Sequence, residues 1–325
     1  MGWNIYVTRE LPRPAMDLLR ENVEKMDVNP EDRVLIREEL LEGVGGRDGV
    51  LCLLTDTIDD EVFRATEGAG IFANYAVGFN NIDVDAATRR GVMITNTPGV
   101  LTDATSDMAW TLLFATARRV AEADRFTRAG RFKGWGPMMF LGGDVTERTL
   151  GIVGAGRIGT AVAMKSKGFR MKVLYADMVR NESLEEELGA RKVPLDELLQ
   201  ESDFVSIHVL LGPETTHLIG ERELGLMKST AYLINTSRGP VVDEEALVHA
   251  LKAGAIAGAG LDVYENEPEL SPGLAELDNT VIVPHIASAT VWTRTKMGLM
   301  AAENLLAGLK GETPPNLVNP EVLGK

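Results

Sequence analysis

Short apolar runs alternate with amphipathic stretches over residues 3–97. Runs 4–7, 50–54, 70–74 and 92–96 have the length and composition of buried strands, and 13–22, 31–42, 60–66 and 84–90 have the spacing of helices. Such alternation predicts a parallel sheet with helices on both faces, a small α/β domain. After Thr97-Pro98-Gly99 the pattern changes. Residues 101–119 are apolar at Ala104, Met108, Leu112 and Ala115 and again on the opposite side, which predicts a helix buried nearly all round. That helix fits either a crossover between domains that also packs on a second subunit or an ordinary core helix. The loop 131–140 carries Phe132, Trp135, Met138, Met139 and Phe140, too many large apolar residues to be left in water, so it is expected to cover a partner or a ligand.

From residue 149 a second alternation begins, with strands expected at 149–153, 172–176, 204–209, 231–236, 259–263 and 281–283 and a helix at 244–252 capped by Asp243. The last helix, about 293–309, carries Met297, Met300, Leu305 and Leu309 and folds back most simply on the first domain. The chain is therefore expected to form two parallel-sheet α/β domains, a discontinuous one of residues 1–98 plus 290–325 and a continuous one of 99–289.

The first strand of the second domain runs into Gly154-Ala-Gly156-Arg157-Ile158-Gly159, and a helix follows. Gly154 allows the tight turn, Gly156 lets a pyrophosphate approach the backbone, and Gly159 lets helix and strand pack closely. The helix N-terminus offers free N–H groups and a partial positive charge to the same pyrophosphate. The next strand ends in Asp177, where a carboxylate holds the ribose hydroxyls of NAD. Glycines, helix, second strand and acidic end stand in register, which predicts a Rossmann dinucleotide site. The second G-x-G, Gly258-Ala-Gly260, leads into a strand with no helix after it and reads as close packing.

Composition narrows the function. A chain of 325 residues is long enough for two cores. The formal net charge of −15 argues against nucleic acid and anionic membrane as partners, and obliges a site for anionic ligands to bring its own cations. No apolar run approaches the ~20 residues of a membrane span. The start of the chain lacks signal-peptide character, and Tyr6 stands where a myristoylation signal wants Ser or Thr. Cys52 is the sole cysteine, so neither an intrachain disulfide nor a cysteine metal cluster can form; a cytoplasmic location and no metal are expected.

Four histidines are candidates for proton chemistry. His249 falls inside a helix and suits a solvated face. His217 sits in a loop after Pro213 and reads as structural. His208 ends a strand of the second domain and either touches the adenosine half of a cofactor or satisfies a backbone group. His285 follows a strand directly, at the sheet end where open α/β proteins bind ligands. Two other strand ends carry partners for it: Arg238, able to grip a carboxylate through paired N–H bonds, and the segment Glu265-Asn-Glu267. A carboxylate against His285 would fix its ring and favour its protonated form; spacing does not decide between Glu265 and Glu267. In the first domain, Val77-Gly78 after a strand makes either a tight turn or a backbone site for a small carboxylate.

The glycine motif, Asn235-Thr-Ser-Arg-Gly-Pro240, Gly260-Leu-Asp-Val-Tyr264 with Glu267-Pro268, and Pro284-His-Ile-Ala-Ser288 resemble the D-isomer-specific 2-hydroxyacid dehydrogenases over nearly the whole chain. Within that family, residues 50–54, Pro98-Gly-Val-Leu-Thr-Asp103 and Trp135-Gly-Pro137 look most like the glyoxylate/hydroxypyruvate reductases. The resemblance implies an NAD-binding Rossmann domain and a flavodoxin-like substrate domain. It implies Arg238 as substrate-orienting residue, His285 as acid/base and Glu267 as its partner, with Leu53, Val77, Gly78 and Ser288 also at the substrate. Thr105, Gly154, Gly156, Arg157, Ile158, Gly159, Asp177, His208, Thr236, Asp262 and His285 are implied at the cofactor, NADH in preference to NADPH. A homodimer through residues 101–140 is implied too. The subgroup sends an aromatic from the loop after Trp135 into the neighbouring subunit's site; here the matching position is Met139. Phosphoglycerate dehydrogenases and NAD-sensing corepressors of the same family are the alternative functions.

Overall fold

The computed structural model describes residues 2–324 of the chain; residues 1 and 325, the outer limits of the expected first domain and the start of the rejected lipidation signal, lie outside the described residues. In chain order the elements are β1 (Asn4–Val7), α1 (Arg13–Asn22), β2 (Lys25–Val28), α2 (Arg37–Val44), β3 (Gly49–Cys52), α3 (Asp60–Ala65), β4 (Ile71–Asn74), α4 (Val84–Arg89) and β5 (Met93–Thr95). Then come α5 (Thr102–Ala117), α6 (Val120–Arg128), β6 (Thr149–Val153), α7 (Arg157–Lys165), β7 (Lys172–Ala176), α8 (Glu182–Leu188), β8 (Arg191–Lys192), α9 (Leu195–Glu201) and β9 (Phe204–Ile207). The last are α10 (Glu221–Leu226), β10 (Tyr232–Asn235), α11 (Glu244–Ala253), β11 (Gly258–Leu261), β12 (Thr280–Ile282) and α12 (Val291–Leu309). The chain divides into two compact units, Met1–Leu101 with Ala289–Lys325, and Thr102–Ser288.

The first unit is a five-stranded parallel sheet of order β2-β1-β3-β4-β5. Every residue of β3 and β4 is buried, as a parallel sheet covered on both faces requires. Met297, Ala301, Ala302 and Leu305 of α12 join one core with Ile5, Ala15, Met16 and Leu19, so the carboxyl-terminal helix completes this unit. The helix expected over 31–42 is corrected to α2. The Asn29 side chain accepts from Glu31 N (3.1 Å) and donates to the Arg33 carbonyl (3.3 Å), a local turn that competes with helix until Ile36. Glu39 then caps α2 by accepting from Ile36 N at 3.1 Å.

The second unit is a seven-stranded parallel sheet of order β12-β11-β10-β9-β6-β7-β8. The order reverses between β6 and β9, the place where such sheets bind dinucleotides. α5 buries Ala104–Ser106, Ala109, Trp110, Leu112, Leu113, Thr116 and Ala117, with Trp110 donating to the Val162 carbonyl at 3.0 Å, and leaves one strip, Asp103, Asp107 and Thr111, exposed. It ends two residues earlier than expected, because Arg119 takes a left-handed conformation (φ 53°) and starts α6 in a new direction. Gly258 and Gly260 pack against Asn279, Thr116 and Leu112 with no space for a Cβ, the close approach expected of the second G-x-G. Among the described residues, no helix is long and apolar enough to cross a membrane, and no group of three His, Cys, Asp or Glu side chains is arranged to hold a metal.

Candidate active site

Because β10, β11 and β12 are parallel neighbours, their carboxyl ends lie side by side and present the segments that follow them together. Arg238 follows β10, Asp262 and Glu267 follow β11, and His285 follows β12. The His285 Nδ1 lies 2.8 Å from Glu267 Oε2, and Glu267 Oε1 accepts from Tyr264 N at 3.0 Å. Burial pushes the Glu267 carboxyl up. The hydrogen bond and charge of His285, the Tyr264 N–H and the attraction of Arg238 outweigh it, and the group lies below the usual carboxylate range. An ionised carboxylate only accepts, so Nδ1 carries the proton of this bond and Nε2 is left for chemistry. The Arg238 guanidinium is pushed down by burial, with Glu267 opposing the shift, and remains a cation. Its Nη1 donates to the Ser237 carbonyl at 2.7 Å.

His285 has a left-handed backbone (φ 51°), a conformation that costs a non-glycine residue energy. Asp262 holds it there. The His285 N–H donates to the Asp262 carbonyl at 2.9 Å, and the Asp262 carboxylate accepts from Ile286 N (2.6 Å) and Ala287 N (2.9 Å). Asp262, expected at the cofactor, is 0% exposed and uses both carboxylate oxygens on this backbone. Tyr264 ties the two loops together through its hydroxyl, which donates to the Val283 carbonyl at 2.8 Å.

Glu265, the other candidate partner, goes elsewhere. Its Oε1 is 2.6 Å from His217 Nε2 and its Oε2 accepts from Glu244 N at 3.1 Å. The buried Glu244 carboxylate accepts from Glu265 N (2.8 Å) and Ser271 N (2.7 Å), bracketing the loop that carries Glu267. Glu244 escaped the sequence reading because it sits inside the first turn of α11, where an acidic residue is ordinary. His249 is exposed on α11, as expected.

At the β6 end, Gly154 has φ 92° and lies against the backbone of His208 and Val209. A Cβ on Gly159 would land on the Gly154 carbonyl, whereas one on Gly156 would meet open space. Gly156 begins α7 without a side-chain cap, so the first N–H groups of that helix are available to an anion, beside the half-buried Ile158 and exposed Arg157. Asp177 ends β7 and its carboxylate accepts from Ala155 N (2.7 Å) and Val179 N (2.9 Å), leaving a lone pair on each oxygen for ribose hydroxyls. The Thr236 hydroxyl and His208 Nδ1 are buried without partners among the described residues, while His208 Nε2 meets Ser206 Oγ at 2.8 Å. Burial alone lowers the His208 imidazole to about 3, so it is neutral. Thr105 is buried in the first turn of α5, and Ser288 is half-buried. These residues fit a dinucleotide: a turn with room for pyrophosphate, a helix start and a carboxylate for ribose. Asn181, which the sequence reading missed, donates to the Ala155 carbonyl (2.9 Å) and Thr160 Oγ1 (2.8 Å) and caps α8. An Asn directly before an acidic first turn is the signal that would have found it.

In the first unit, Asn96 donates to the Val77 carbonyl (2.7 Å) and Asn74 to the Gly78 carbonyl (3.0 Å). The N–H groups of Val77 and Gly78 donate to no acceptor among the described residues. Asn81 donates to the carbonyls of Leu53 (3.1 Å) and Asp56 (3.0 Å), and the Leu53 N–H donates to Asp56 Oδ2 at 2.7 Å. Leu53 is thereby tied to the Val77–Asn81 turn.

A family model described as the NAD-binding domain of D-isomer-specific 2-hydroxyacid dehydrogenases matches residues 110–287. Glyoxylate reductase of Thermococcus gammatolerans is 54% identical over 323 residues, covering 98% of this chain and 96% of that protein. Among solved structures, the TT0316 protein of Thermus thermophilus has a TM-score of 0.90 at 44% identity, covering 97% of this chain and 99% of that one. An NADPH-dependent glyoxylate/hydroxypyruvate reductase of Sinorhizobium meliloti, solved with NADP and malonate, has a TM-score of 0.85 at 30% identity, covering 99% of this chain and 98% of that one.

Proposed function

Since the chain belongs to the D-isomer-specific 2-hydroxyacid dehydrogenase family, we propose that it reduces a small 2-keto acid, glyoxylate first and hydroxypyruvate next, to the 2-hydroxy acid. The observation that carries this reading is the 2.8 Å contact of His285 Nδ1 with Glu267, with the half-buried Arg238 at the neighbouring strand end. NADH supplies the hydride when bound. The glycine turn and the start of α7 hold its pyrophosphate, Asp177 its ribose, with Thr236 and His208 close to it. Arg238 orients the keto acid through its carboxylate or carbonyl; Val77 and Gly78 are proposed, from the family resemblance, as a backbone site for a carboxylate. His285 Nε2 donates its proton to the alkoxide as the carbonyl is reduced, while Glu267 keeps the imidazolium in place. Preset charge and position supply most of the rate.

The same reading makes residues 99–289 the cofactor domain and residues 1–98 with 290–325 the substrate domain, bounds within three residues of the two compact units. It prefers NADH to NADPH. It places the enzyme in the cytoplasm, consistent with one buried cysteine, and pairs it as a homodimer through the helix and loop of residues 101–140. A panel of 2-keto acids read by loss of NADH absorbance tests it. Glyoxylate should give the highest kcat/KM, and no turnover on any keto acid would refute the enzyme. His285→Ala should still bind NADH but lose about 10²–10⁴-fold in turnover, the range for a positioned acid; turnover within about threefold of the parent would remove His285 from that role.

A further inference from the structure

The loop after β7 contains one arginine, Arg180, and the structure shows what it does. Its Nε donates to Glu185 Oε2 at 2.7 Å, and its Nη2 lies 2.5 Å from the same oxygen. The other carboxylate oxygen of Glu185 accepts from the Tyr175 hydroxyl at 2.6 Å. Tyr175 is fully buried in β7, and its hydroxyl in turn accepts from Asn181 N at 3.0 Å. Glu185 is thus fixed by a core residue, and it fixes Arg180.

This matters for the choice between the two nicotinamide cofactors. A 2′-phosphate, doubly charged near neutral pH, needs a cation near the end of the second strand, and an arginine a few residues on is the usual provider. Here that position is lined by Asp177 and the exposed apolar Met178 and Val179, with the Lys192 ammonium donating to the Met178 carbonyl at 2.9 Å. Arg180 has the right chemistry and the right loop, but Glu185 already neutralises it. We propose that Glu185 is a specificity-determining residue: by latching Arg180 to α8, it denies a 2′-phosphate its counter-charge and adds to the repulsion from Asp177. The proposal rests on the NADH reading above. It assigns discrimination to a pair on α8 and its cap loop as well as to Asp177.

Dissociation constants for NADPH and NADH, measured by calorimetry without keto acid, test it on the intact protein. Glu185→Gln keeps an oxygen for Tyr175 and removes the charge that holds Arg180. It should tighten NADPH by about fivefold or more, as one new charge-assisted contact to phosphate would, and leave NADH within about twofold. In an Asp177→Ser background the gain should be at least as large. Adding Arg180→Ala should abolish it in both. An unchanged NADPH constant in Glu185→Gln, a gain that survives Arg180→Ala, or equal weakening of both cofactors would each overturn the proposal; the last means that Glu185 merely holds the loop in shape. Failure of the underlying reading is visible separately, because it shows in the parent protein: if the parent binds NADPH as tightly as NADH, there is no discrimination for Glu185 to enforce.

Discussion

Glu244 and Glu265 hold each other by exchanged hydrogen bonds: the Glu265 N–H donates to the Glu244 carboxylate at 2.8 Å, and the Glu244 N–H to the Glu265 carboxylate at 3.1 Å. Glu244 also accepts from Ser271 N at 2.7 Å, so one buried side chain ties down both sides of the loop bearing Glu267. Glu244→Gln replaces one accepting oxygen by an NH₂ facing an N–H, leaving a buried donor unmet, at about 1–3 kcal/mol of stability. The expected outcome is a lower thermal midpoint with NADH affinity kept and kcat reduced about tenfold or more, because Glu267 no longer holds the imidazole in register. Glu244→Asp, which keeps two accepting oxygens, should recover part of kcat. A variant with lower stability and full kcat would reduce Glu244 to a structural brace.

Glu267→Gln separates charge from position. On the proposed reading His285 donates a proton during reduction, so reduction should fade as pH rises. Without the carboxylate beside it the His285 ring loses its anchor, and kcat should fall about tenfold or more across the pH range with NADH affinity kept. Stability has the opposite dependence. The folded Glu267 carboxyl lies below its unfolded value, so its ionised contacts stabilise the fold fully above the ordinary carboxylate range, and that contribution is lost as pH falls through the lowered value. Glu267→Gln should therefore melt below the parent at neutral pH and close to it in acid. The check is a pH–rate profile with melting curves at both pH values. An unmoved profile would leave the 2.8 Å contact without a chemical role.

Legibility in the sequence followed burial. The bounds of β1, α1 and β7 could be read to the residue because each has a sharp apolar pattern and a clear stop. α6, α8, α9 and α10 escaped notice: α6 buries none of its side chains, and α8 buries only Leu184, so few large apolar residues mark them. β2 is a half-buried edge strand and β8 has two residues, too short for a period. At the site, the strand-end rule found Arg238 and His285 because a parallel sheet gathers all its carboxyl ends at one edge. It did not choose between Glu265 and Glu267, since that choice depends on how a turn lies. Asn181, Glu185 and Glu244 act on backbone and on other side chains, with nothing in spacing to mark them.

The segment after α6 leaves Trp135 85% and Met138 77% exposed, with Phe132 and Leu141 also more than half exposed. Large apolar side chains gathered on one stretch are unfavourable in water, and a second copy of the chain is the occupant that the homodimer reading requires. Trp135→Ser with Met138→Ser should shift the sedimenting species from dimer towards monomer at micromolar concentration. If the parent protein already sediments as a monomer at high concentration, the dimer is wrong.

On the proposed reading, cofactor preference rests first on Asp177. Its two oxygens are already fixed by Ala155 N and Val179 N, so the carboxylate cannot turn away from what approaches the end of β7. A ribose 2′-hydroxyl meets it as a donor. A 2′-phosphate would meet it as a like charge, and the arginine of the same loop, Arg180, is engaged by Glu185. The expected preference for NADH over NADPH is at least about tenfold, or ~1.4 kcal/mol. Asp177→Ser should relax it mainly by losing NADH affinity. Because the shorter side chain also releases Ala155 N, Asp177→Asn, which keeps one accepting oxygen for that N–H, is the cleaner comparison and should fall between Ser and the parent. Arg180→Ala should matter little for NADH. The measurement is kcat/KM for each cofactor at saturating glyoxylate. Equal values would mean that charge at the end of β7 does not decide the cofactor.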